Sequence, residues 1–108
     1  MAFNGSQHFK ISRPFVNEDG VNVETITGTK TLTMKDSSVQ ILDNSSGSPL
    51  TCMLPSLVNG AFFWIKCAGS HAINVNEPAT GSTVQALAAG ETAYIVCSGT
   101  AWKVVIKA

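Results

Sequence analysis

Thr92-Ala93-Tyr94-Ile95-Val96-Cys97-Ser98-Gly99-Thr100-Ala101-Trp102-Lys103-Val104-Val105-Ile106 decides the fold class. Two runs rich in β-branched and aromatic residues flank a short segment of Ser, Gly and Thr, and this pattern reads as two strands joined by a tight turn. Gly99 supplies the backbone freedom such a turn needs. The upstream run alternates, with Ala93, Ile95 and Cys97 on one side and Tyr94 and Val96 on the other. Both sides are apolar.

Working outward, the same signal recurs. The pattern predicts strands near residues 29–34, 38–42, 50–54, 61–67, 72–76, 83–87, 92–97 and 102–106, with turns at 43–49, 55–60, 68–70, 77–82, 89–90 and 98–101 that each hold glycine, proline or both. Only residues 84–90 leave room for a helical turn. Short strands at this spacing predict an all-β chain, a compact antiparallel β-sandwich or barrel with a jelly-roll-like arrangement as one form. Residues 29–108 would make up this domain. Residues 1–28 show no sustained period, carry Pro14 and Gly20, and space phenylalanines at 3, 9 and 15, so they are expected to form an extended N-terminal arm.

Composition limits the function. At 108 residues the chain suits one domain. Seven basic against seven acidic residues give no net charge, and charged residues are 13% of the chain against a usual ~25%. No field steers it toward nucleic acid or an anionic membrane, so neither is an expected partner. The five charges of residues 44–108 are Lys66, Glu77, Glu91, Lys103 and Lys107, too few to solvate strands apolar on both sides. Phe62-Phe63-Trp64-Ile65 and Tyr94-Ile95-Val96 need a second cover beyond the core, and subunit packing is the simplest one. Phe62, Trp64, Tyr94, Val96 and Val105 are therefore the expected oligomer interface.

The chemistry-bearing residues are sparse. Asp43, Glu77 and Glu91 sit at turn signals, where carboxylates are usually solvated rather than poised as an acid–base pair. His71 follows Gly69-Ser70 without the setting of an activated nucleophile. His8 and His71 are far apart for a metal, and Cys52, Cys67 and Cys97 alternate into apolar strand faces with no C-x-x-C pair, as buried free thiols do. No glycine-rich loop carries the lysine of a phosphate site. Phe62, Phe63, Trp64 and Trp102 lack the basic groove of a base-stacking platform. The expectation is no enzyme and no cofactor. No basic start precedes an apolar run, and no apolar stretch approaches ~18 residues, so synthesis in the cytosol without a membrane span is expected.

Residues 29–106, 78 of the 108, resemble a small β-rich domain of tailed-phage virion proteins. The resemblance is carried by Thr29-Lys30-Thr31-Leu32-Thr33, Asp36-Ser37-Ser38-Val39-Gln40-Ile41-Leu42-Asp43, Leu54-Pro55, Asn59-Gly60-Ala61-Phe62-Phe63 and Gly69-Ser70-His71-Ala72-Ile73-Asn74-Val75. It continues in Leu87-Ala88-Ala89-Gly90-Glu91-Thr92-Ala93-Tyr94 and in Gly99-Thr100-Ala101-Trp102-Lys103-Val104-Val105. It implies a non-enzymatic homotrimer on the virion. One form is a decoration protein that cements the outer capsid surface by binding the major capsid protein. The alternative is a tail or head fibre module that attaches to a host receptor or surface glycan. With no internal repeat in the chain, the decoration protein is the expected form. Its capsid contact would be the arm, where Phe3, Phe9, Lys10, Ile11, Arg13 and Phe15 suit strand addition to an exposed sheet edge.

Overall fold

A computed structural model describes residues 20–108, so the arm residues Phe3, Phe9, Lys10, Ile11, Arg13 and Phe15 lie outside the described part. The described residues form nine strands and no helix: β1 Val21–Ile26, β2 Lys30–Thr31, β3 Val39–Asn44, β4 Leu50–Met53, β5 Phe62–Cys67, β6 Ile73–Asn76, β7 Thr83–Leu87, β8 Thr92–Cys97 and β9 Trp102–Lys107. They make two sheets, in the orders β1-β3-β5-β8-β9 and β2-β4-β6-β7.

From β1 to β6 the chain passes from one sheet to the other at every connection, so β1–β2, β3–β4 and β5–β6 are three successive turns of a flat coil. Equivalent strands of successive turns pair in parallel: Val21 opposite Val39, Val39 opposite Trp64, Leu50 opposite Ile73. The last three strands reverse this. β7 pairs antiparallel with β6, β8 with β5, and β9 with β8.

The expectation of an antiparallel sandwich, jelly roll or barrel is thereby corrected. Both sheets are mixed, and among the described residues neither closes, with β1 and β9 at the ends of the first and β2 and β7 at the ends of the second. Hydrophobic alternation reports which face a strand buries and is silent about its direction. Parallel partners need a long connection, usually a helix, and here a strand of the opposite sheet serves instead. Val21–Ile26 falls within the segment expected to be the arm and forms β1, an edge strand of the larger sheet. Residues 84–90 hold no helical turn; Val84 to Leu87 belong to β7.

One core joins the sheets. It holds Phe63, Ile65 and Cys67 of β5, Ala93, Ile95 and Cys97 of β8, and Cys52, Ile73, Val75 and Leu87 of the smaller sheet. Each large aliphatic or aromatic side chain buried there contributes ~1.5–3 kcal/mol. Trp102 closes one end, packed on Phe63 at a ring-centroid distance of 6.0 Å, and its indole N–H donates to the Pro55 carbonyl at 3.1 Å. Polar groups secure the coil corners. The buried Asn44 amide donates to the carbonyls of Ser48 (2.7 Å) and Ala72 (2.8 Å), which ties one turn of the coil to the next. Its Oδ1 accepts from the Ser46 N–H and hydroxyl. Gly60, at φ 88°, turns the chain into β5 in the left-handed region where a side chain would be strained.

Candidate interaction surface

The outer face of the five-stranded sheet is built by register. Val21, Val39, Trp64, Tyr94 and Ile106 are successive cross-strand partners, and together they form an apolar row across the whole sheet. Beside it runs Val23, Ile41, Lys66 and Thr92, and on the other side Phe62, Val96 and Lys103. Within the face the Tyr94 ring packs against both neighbours, 5.3 Å from Trp64 and 5.7 Å edge-on from Phe62. The β8–β9 register shifts between Tyr94 and Ile95, so Val105 is left without an opposite residue and stands exposed on β9.

Exposure decides how this face should be read. Val23 is 73% exposed, Ile106 57%, Val105 54%, Val21 53%, Trp64 49% and Phe62 43%. Six such side chains present roughly 600 Å² of apolar surface, at the upper end of the largest patch on an ordinary monomer. The smaller sheet is different: Thr51, Asn74 and Asn76 stand on its outer side with the half-buried Met53, alternating with the buried Cys52, Ile73 and Val75. Only one outer face of the two is apolar.

Phe62, Trp64, Tyr94 and Val96, expected at an interface, do share one face, with Tyr94 and Val96 half-buried against their neighbours. Val21, Val23, Val39, Ile41 and Ile106 complete it and were not expected there. Their signal was the alternation of Val21-Asn22-Val23-Glu24 and Val39-Gln40-Ile41-Leu42, in which the valines and Ile41 point outward.

The remaining candidates have local partners. Cys52, Cys67 and Cys97 are buried free thiols. Burial pushes the Cys52 thiol up to about 12 and raises that of Cys67, so neither is a thiolate at neutral pH. Cys67 Sγ meets the backbone carbonyl of His71 at 3.1 Å, while His71 Nδ1 lies 3.3 Å from the carbonyl of Asn44. The Glu77 carboxylate accepts from the Thr80 hydroxyl and from the N–H groups of Ala79 (2.7 Å) and Thr80 (3.0 Å), which holds it below the usual carboxylate range. A hydrogen bond from Lys107 does the same for Glu91. A general acid requires the opposite shift. A groove of about 500 Å³ lies between the loops, with Leu57, Pro78, Val84 and Trp102 among its walls. Among the described residues no group of three or more His, Cys, Asp or Glu could hold a metal ion, and no helix is long and apolar enough to cross a membrane.

No protein-family model matches the chain, and neither a curated protein nor a solved structure does.

Proposed function

We propose that this chain is a non-catalytic structural protein of a tailed-phage particle, a homotrimeric decoration protein on the outer capsid surface. The observation that carries the reading is the apolar outer face running from Val21 to Ile106. An uncovered patch of this kind marks an assembly surface, and the virion domain that residues 29–106 resemble assembles as a trimer. In this reading the two sheets act as a sandwich, with one outer face for self-assembly and the other, polar, face for solvent. The arm grips the major capsid protein: Phe3, Phe9 and Phe15 supply apolar anchors, and Lys10, Ile11 and Arg13 supply the register of an added strand. Three arms on one trimer convert a weak contact into a durable one by avidity.

A second reading is a tail or head fibre module attached to a host glycan. It is favoured by the three parallel coil turns from β1 to β6, since stacked coils are how elongated repeat proteins extend. Electron microscopy of phage particles lacking this protein, after addition of a gold-labelled copy, tests both. Label over the capsid exterior is expected. Label at fibres supports the second reading, and particles without label overturn both.

A further inference from the structure

Resting on the homo-oligomer of the proposed function, we infer that its copies close head-to-tail into a three-membered ring, the β1 edge of each five-stranded sheet meeting the β9 edge of the next. Phe62 and Trp64 then turn to the axis.

The distribution of exposed apolar groups points to the edges. A face-to-face pair of sheets has an apolar centre and a polar rim. Here the most exposed apolar side chains are at the rim itself: Val21 and Val23 on β1, Val105 and Ile106 on β9. β1 brings no charge to this face, because Glu24 alternates away from Val21 and Val23 and pairs with Lys30 at 2.8 Å. Natural edge strands are usually blunted by charge or proline, and the outward residues of β1, Val21, Val23 and Thr25, have neither.

Strand direction permits the closure. β1, β3 and β5 run parallel, β8 opposes them, and β9 opposes β8, so β1 and β9 point the same way. Rotation about an axis along the strands therefore carries β9 of one copy beside β1 of the next. Such a heterologous contact repeats identically until the ring closes.

The width of the sheet counts the copies. Five strands at ~4.8 Å make a sheet roughly 24 Å across, so three flat sheets would lie roughly 7 Å from the axis and four roughly 12 Å. A side-chain layer between packed sheets fills about 5 Å on each side. Three copies thus leave a space that Phe62, Trp64 and Tyr94, the largest side chains of the face, can fill. Four leave a hollow lined by aromatic rings.

Disulfide cross-linking tests the arrangement. Val21→Cys and Ile106→Cys, which stand at one level of the sheet, are made singly and together; both positions are exposed, while the native thiols are buried. Each variant is first sized by light scattering, then oxidised and run on a non-reducing denaturing gel. The expected result is dimer and trimer bands from the double variant and monomer from each single variant. Oligomers whose single variants cross-link, or whose double variant stays uncross-linked, overturn the head-to-tail ring and leave the homo-oligomer standing. Monomeric wild-type protein in solution overturns both.

Discussion

The Asn22 side-chain amide donates to Gln40 Oε1 at 2.7 Å, between residues that face each other across the parallel strands β1 and β3. Gln40 is buried, and its own amide donates to the Ser37 carbonyl at 2.7 Å. The inner side of β3 is thus partly polar and internally satisfied at Gln40 and Asn44. Its outer side carries Val39 and Ile41. This inversion gives the larger sheet its apolar outer face.

Replacing Gln40 with Ala should leave the Ser37 carbonyl without its partner in a part-buried site and the Asn22 amide with Glu24 Oε1 alone, at 3.0 Å. The expected destabilisation is about 1–3 kcal/mol, measured by urea unfolding. A change below a few tenths would show that the amide pair adds nothing.

The thiols should be inert in the native state and fast to react after unfolding, because Cys52, Cys67 and Cys97 are buried. Burial holds the Cys52 proton more tightly in the folded chain, with a value of about 12 against about 9 unfolded. Its stabilising effect is therefore complete below pH 9 and is lost as pH rises from 9 toward 12. Cys52→Ala should flatten the alkaline limb of the stability curve. Rapid thiol labelling of the native protein would contradict the burial.

Glu24 is held below the usual carboxylate range chiefly by its hydrogen bond from Lys30, an ion pair of 2.8 Å that ties β1 to β2. With the folded value depressed, the contribution is present at neutral pH and disappears as pH falls through that value. The pair is part-exposed and open to screening, so Glu24→Gln should lower stability by less than ~1 kcal/mol. Most of that difference should vanish in acid, as read by thermal melts at two pH values.

Each of the eight expected strands has a counterpart, that at 29–34 shortened to Lys30–Thr31, because turn chemistry and alternation are local properties that glycine, proline and β-branched residues write directly into the sequence. Two features were not legible. Strand direction depends on whether a turn such as residues 45–49 returns the chain within its sheet or sends it across to the other, and both outcomes use the same small polar residues. The sidedness of β1 and β3 was obscured because Gln40 and Asn44 lie inside, with hydrogen-bond partners supplied by Asn22, Ser37, Ser46, Ser48 and Ala72. Where both faces are apolar, as in β5 and β8, the double-sided pattern was readable, and Phe62, Trp64, Tyr94 and Val96 share the outer face.

That surface is tested most directly by the mass in solution of the wild-type chain beside Trp64→Lys, measured by light scattering at equal concentration. Trp64 is 49% exposed in the single chain, so the substitution should leave the fold, followed by circular dichroism, intact. The wild type should have three times the 11.4 kDa of one chain and the variant the mass of one. A wild type of 11.4 kDa, or a variant that remains fully assembled, would contradict the assignment of the outer face to self-assembly.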